Sequence, residues 1–284
     1  MKKVFILFLF LTVVLVTNAG IVYTKQDSLI YERYVNQLKA DANLSIGELI
    51  VKTALFFRET PYVASTLDNN KSEQLVINLR QFDCTTFVES CIALSRTLKT
   101  GDYTFSNFGN QLQIIRYREG KIEDYSSRLH YVTDWIYDNT KKGILKNKSS
   151  ALGGTLNSKT INFMSSHTDA YKSLHNNAEL QQKITDTEHQ INSRGGYYFV
   201  KKENINKISN QVLNGDMVVF ATTIDGLDYT HIGIAYHDGT KLTFIHASSR
   251  VMKVIVEPQS LSDYCLKSAK CTGVSIVRVT DLDK

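Results

Sequence analysis

Several things are scarce in this chain of 284 residues. Its one long apolar run, Val4 to Val16, falls short of the roughly 20 residues that a membrane-spanning helix needs. No Arg- or Lys-rich block is present, so nucleic-acid binding has little support. The net charge of +5 suits an anionic polymer or surface without demanding one. Internal repeats and low-complexity tracts are absent, which excludes a solenoid or a linker protein. No cysteine follows the apolar run, so a lipoprotein-type attachment has no residue to use.

What is present starts at the N-terminus. Lys2-Lys3, the apolar run and Thr17-Asn18-Ala19-Gly20 have the layout of a secretory signal peptide. The expectation is a leader over 1–19, cleaved after Ala19, and an exported chain that is periplasmic or extracellular, with no stable membrane insertion after cleavage. An uncleaved anchor continuing through Ile21-Val22-Tyr23 is the competing reading. The remainder, 43% hydrophobic and 21% charged over the whole chain, suits a globular core. The four cysteines are Cys84, Cys91, Cys265 and Cys271. In an exported chain Cys265 and Cys271 could staple a local loop. Cys84 and Cys91 would stand about 10 Å apart along one helix, too far for a bridge.

Hydrophobic spacing predicts helices over 27–58, 81–98, 131–137 and 171–192. A short strand is expected over Leu112 to Tyr117. Gly101 should close the 81–98 helix. Residues 140–160, rich in Lys, Asn, Ser and Gly, read as a loop, and the whole of 140–200 as an insertion. From Gly215 the pattern becomes β, with short runs at 217–222, 231–237, 242–247, 251–256 and 274–279. Helices first and an antiparallel sheet second is an α+β layout. The expected division is a helical segment over 20–44 and a catalytic domain over 45–284.

Two histidines flank the clearest hairpin signal, Asp238-Gly239. With that dipeptide as the loop, His231 and His246 fall directly opposite each other, on one face, with Cβ atoms about 5 Å apart. The group they would serve is Cys84. Asp83 is a natural N-cap, which puts Cys84 in the first helical turn, where free N–H groups and the helix dipole favour a thiolate and can hold an oxyanion. A thiol, a base imidazole and an orienting imidazole make a nucleophilic acyl-transfer site. A Cys-His-His zinc site is the chemical rival, but no fourth ligand recurs at metal-like spacing, so no metal or cofactor is expected.

Thr60-Pro61-Tyr62-Val63-Ala64, Phe82-Asp83-Cys84-Thr85-Thr86, Thr230-His231-Ile232-Gly233-Ile234 and Phe244-Ile245-His246-Ala247 follow one another in an order that resembles the NlpC-type papain-like cell-wall hydrolases. Thr85-Thr86 stands where Ser-Gly is usual there, and Ala64-Ser65-Thr66 where Trp-Gly-Gly is. With Ile115-Arg116-Tyr117-Arg118, Ser127-Arg128-Leu129-His130-Tyr131, Gly226-Leu227-Asp228 and Ala247-Ser248-Ser249, the chain is similar to the N-acetylmuramoyl-L-alanine amidase-like subfamily, from about Ser45 to Val279. The resemblance implies a papain-like fold with the nucleophile at a helix start, packed on an antiparallel sheet. It implies Cys84 as nucleophile, His231 as base and His246 as orienter. The bond cut would join N-acetylmuramic acid, the 1,6-anhydro form included, to L-alanine in peptidoglycan or muropeptide fragments.

Tyr62, Asp83, Arg128, His130, Asp228 and Ser248 are candidate substrate contacts. Arg128 would bind a carboxylate bidentately; for Arg128 and His130 the bland alternative is a solvated surface, and for Asp228 a turn residue. The nearest alternative activity is a γ-D-glutamyl-diamino-acid endopeptidase. A non-catalytic wall-binding module is the alternative of a different class.

Overall fold

A computed structural model describes residues 15–18, 20–70 and 72–282. Most of the expected leader, with the cleavage point at Ala19, lies outside the described residues. Strands β1 (Leu15–Asn18), β2 (Ile21–Thr24) and β3 (Leu75–Val76) form a small sheet. Helices α1 (Lys25–Leu38) and α2 (Ile46–Phe56) each begin with a capping box, set by Thr24 with Asp27 and by Ser45 with Glu48. Tyr31, Tyr34 and Leu38 of α1 share the main core with α2.

Helix α3 (Cys84–Thr100) is central. Asp83 caps it, accepting the Thr86 N–H at 2.8 Å, while the Thr86 hydroxyl accepts the Asp83 N–H at 3.0 Å. Gly101 ends it with φ +76°, a left-handed turn that glycine adopts without a Cβ penalty. Its residues from Thr86 to Leu98 are buried, the polar Glu89, Ser95 and Arg96 among them.

One expectation fails at the next element. Leu112 to Tyr117 is not a strand: all but the last residue belongs to α4 (Phe105–Arg116). Thr104 caps this helix, and Phe108, Leu112 and Ile115 are buried at helical spacing. The β-branched pair Ile114-Ile115 gives a strand-like local signal that the longer period overrides.

The chain continues through α5 (Val132–Lys141), β4 (Leu145–Asn147), β5 (Thr155–Asn157), α6 (Phe163–Ser166), α7 (Ala178–Ser193), β6 (Tyr197–Lys201) and α8 (Ile205–Ile208). Then come β7 (Met217–Thr222), β8 (Tyr229–Asp238), β9 (Lys241–Ser248), β10 (Lys253–Val256), α9 (Leu261–Lys267) and β11 (Cys271–Val279). The main sheet runs β10-β9-β8-β7-β11-β6-β5, antiparallel throughout, with β4 also on β11. The architecture is thus a mixed α+β one. The 140–200 stretch feeds β4, β5 and β6 into this sheet, and Tyr197 and Phe199 of β6 join the main core.

The two faces of the sheet are covered differently. Ile232, Ile234, Ile245 and Ala247 face the core shared with α2 and α3. Ala235, Leu242 and Phe244 point the other way, toward a second cluster with Leu261 and Cys265 of α9. Cys265 and Cys271 are both free and buried rather than closed as a staple, and the Cys271 thiol donates to Gly273 O at 3.5 Å.

Candidate active site

The hairpin register differs from the expected one. Asp238 pairs with Lys241, so Gly239-Thr240 is the loop. The shift moves each partner by two, which keeps both histidines on one face but makes them diagonal rather than opposed. Continuing the register sets Gly233 across from His246 and Ser248 across from His231. The rings still meet: His231 Nε2 lies 2.6 Å from His246 Nδ1, with the ring planes 80° apart. Two features help. Thr230 is an extra residue against β7, since Phe220 pairs with His231 and Ala221 with Tyr229, and such a bulge re-aims the neighbouring side chain. A Cβ at Gly233 would stand 2.8 Å from the Phe244 ring and 3.3 Å from the His246 Cβ, so only glycine leaves this crossing open.

Cys84 packs against the main core, to which Ile232, the neighbour of His231, belongs. Paired residues of β8 and β9 end at Ile234 and Ile245. Beyond that point the Ile232 N–H, next to His231, works to lower the Cys84 thiol pKa. Tyr62 is brought in by its neighbours: its N–H donates to Met252 O at 2.9 Å, and Phe82 and Val63 bond across the adjoining bridge. The Tyr62 phenol is pushed up by partial burial and by the nearby Cys84 and Asp83.

The electrostatics are those of a neutral site. Burial, then the Asp83 carboxylate, raises the Cys84 thiol to about 11, against the pull of the Ile232 N–H and the Thr85 hydroxyl. The depressed thiolate pKa expected from the helix start is therefore not what the resting protein shows, because desolvation outweighs the helix end. Burial, then His246, lowers His231 to about 3. Burial, then Arg250, lowers His246 to about 4. Both rings are neutral at physiological pH.

Sequence reasoning missed Glu257. Its Oε2 lies 3.5 Å from His246 Nε2, a buried nitrogen with no hydrogen-bond partner, and both side chains are 2% exposed. The signal was available in the next hairpin: His246 pairs with Ile255, and Glu257 stands two residues on, on the same face. A carboxylate only accepts, so with Glu257 facing Nε2 the favoured proton order would put the His246 proton on Nε2 and leave Nδ1 to accept from His231 Nε2–H. His231 Nδ1 is then left as the free basic nitrogen.

The remaining candidates are engaged internally. Asp83 is the α3 cap. Arg128 is buried and ion-paired to Asp68 at 2.7 Å and to Glu73 at 3.3 Å. His130 Nε2 lies 2.7 Å from Tyr125 O, and burial, then Arg128, lowers it to about 3. Asp228 accepts the N–H groups of Thr133 and Tyr229, each at 2.7 Å, and so caps α5. Ser248 accepts the Val251 N–H at 3.3 Å and lines a cavity beside the histidines. Among the described residues no group of three or more His, Cys, Asp or Glu side chains is placed to hold a metal ion, and no helix is long and apolar enough to cross a membrane.

Residues 52–274 match the family described as AmiA-like, N-acetylmuramoyl-L-alanine amidase-like. The structure is similar to that of an N-acetylmuramoyl-L-alanine amidase from Bacteroides uniformis, 34% identical with a TM-score of 0.78, over 83% of this chain and 99% of the other. It is similar also to a candidate xylanase from Bacteroides fragilis, 35% identical with a TM-score of 0.76, over 80% and 99%. A Legionella pneumophila protein, LPG0564, shares the fold at 20% identity and a TM-score of 0.67, over 90% and 94%. No curated protein sequence matches.

Proposed function

The chain belongs to the AmiA-like, N-acetylmuramoyl-L-alanine amidase-like family, and from that premise we propose that it is a cysteine amidase of peptidoglycan fragments. The bond cut joins the lactyl group of N-acetylmuramic acid to L-alanine, in muropeptides that include the 1,6-anhydro form. The observation that carries the reading is the 2.6 Å His231–His246 contact on a strand whose neighbouring Ile232 belongs to the core against which Cys84, at the start of α3, packs. A cysteine at a helix start, set against an antiparallel sheet bearing the base, supports a papain-like NlpC-type placement.

In this reading the resting pair is a thiol and a neutral imidazole. His231 Nδ1 takes the Cys84 proton as the sulfur attacks the lactyl carbonyl. The free N–H of Cys84 at the start of α3 faces the developing oxyanion. The imidazolium formed on His231 donates through Nε2 to His246, and Glu257 steadies the far end of that relay. His231 then returns the proton to the departing alanine nitrogen, leaving a lactyl thioester that water hydrolyses with His231 again as base. Tyr62 borders the thiol. The leader pattern at 1–19 supports export to the periplasm or beyond, where wall fragments are met, and 45–284 is proposed as the catalytic unit.

Product analysis of a defined muropeptide tests the activity. Release of the sugar with its free lactyl acid, and of an intact peptide starting with L-alanine, is the expected result. An intact sugar-dipeptide would instead assign the endopeptidase.

A further inference from the structure

The cavity beside the histidine pair has a volume of about 600 Å³. His231 and His246 form part of its wall, together with Thr230, Ser248 and Tyr264. Two cations line it, Arg250 and Lys267, both exposed. Neither is ion-paired with a carboxylate among the described residues, and the Lys267 ammonium donates only to the Gln259 side chain at 2.7 Å. Glu257 is the acidic member of the lining, and its Oε1 is already held by two N–H donors of Gln259 at 3.1 Å. The unpartnered, buried Nε2 of His246 belongs to the same wall. A polar cavity with two unneutralised cations fits an anionic ligand.

We propose that this cavity holds the leaving peptide and that Arg250 and Lys267 take its free carboxylate; the proposal rests on the amidase reading above. As general acid, His231 must stand beside the departing alanine nitrogen. The peptide beyond that nitrogen therefore runs on past His231, whose ring is part of this cavity's wall. When the second residue is a γ-linked glutamate, its α-carboxylate stays free. Two residues span at most about 7 Å, so that carboxylate falls within the cavity. Arg250 offers a planar fork to it and Lys267 a point charge.

The test uses two muropeptides that differ only at this position, one with the free α-carboxylate and one with the α-carboxamide. The wild-type KM is expected to be about tenfold higher for the amide, the equivalent of one charge-assisted contact. Arg250→Gln with Lys267→Gln should raise KM for the acid form by about the same factor and remove the discrimination. Because both side chains are exposed, a thermal melt should show the variant folded. Equal KM values in the wild type, or discrimination that survives in the variant, overturns the proposal. If the wild type cleaves neither compound, the amidase reading fails by itself. Calorimetry of the same two ligands on Cys84→Ala then decides the subsite: a tenfold preference for the acid, lost when Arg250 and Lys267 are also replaced, supports it, and equal affinities overturn it.

Discussion

Two buried polar assemblies in this molecule are built on opposite plans. In one, cations meet carboxylates closely: Arg116 pairs with Glu89 at 2.7 Å and donates to Val76 O at 2.7 Å, and Arg128 pairs with Asp68 and Glu73. In the other, two neutral rings touch at 2.6 Å, the second has an unpartnered nitrogen, and the nearest carboxylate stays at 3.5 Å. Unbonded buried nitrogens occur in both, Nε of Arg128 in the first and Nε2 of His246 in the second, so what separates the two is charge: ion pairs in one, neutral rings in the other. The first assembly fixes α3 against α4. The second keeps hydrogen-bonding capacity in reserve beside a cavity.

Replacing Cys84, which the histidine pair is proposed to serve, and Arg116 of the first assembly should separate the two plans most sharply. Cys84→Ala should lower turnover by at least about 10⁴-fold, with a melting curve near that of the wild type. Arg116→Met should do the converse. It strands the buried Glu89 carboxylate and should cost roughly 3–5 kcal/mol in urea unfolding, with kcat per folded molecule kept. A Cys84→Ala chain that still turns over would remove the difference in plan.

Glu257→Gln probes the far end of the relay at smaller amplitude. A hydrogen bond to a charged group contributes roughly 1.5 kcal/mol, about tenfold in rate. The loss should appear in kcat rather than KM, because Glu257 steadies an imidazolium that exists only during turnover. A loss confined to KM would return Glu257 to a structural role.

The smallest expected effect is on acid tolerance. The base must be neutral, and burial lowers His231 to about 3. The acid limb of kcat/KM should therefore lie well below the ordinary histidine value near 6.5. A half-maximum at 6.5 would show a solvated base and contradict the burial. The same groups act on stability in a defined direction. With folded-state values below the unfolded one, the unfolded chain binds more protons between about 3 and 6.5. Stability is whole above that window and is lost as the pH falls through it.

Most of the architecture was legible because it rests on local chemistry. The Asp83 cap, the Gly101 terminus and the alternating β runs after Gly215 each act within a few residues, and the structure has them. Leu112 to Tyr117 was misread because two β-branched neighbours look alike in a strand and in a buried helix face. The histidine pair was found through parity, which survives a loop shifted along the hairpin, whereas the direct opposition did not. Arg128, His130 and Asp228 carried the right chemistry for ligand contacts, but their internal partners come from distant segments that no local spacing reveals. Glu257 was missed for the same reason, since it requires the register of a second hairpin. The thiol's raised pKa depends on burial, which a sequence does not display.

The missing side chain at Gly233, where a Cβ would press on the Phe244 ring and the His246 Cβ, has a consequence for anyone seeking a sturdier version of this protein. Consensus-style stabilisation favours β-branched residues in strands and longer ladders. Applied at Gly233, such a change would favour the strand locally while pushing His246 away from its contact with His231. Screens for heat resistance alone would then enrich well-folded, silent chains, so selection at this hairpin has to be made on turnover.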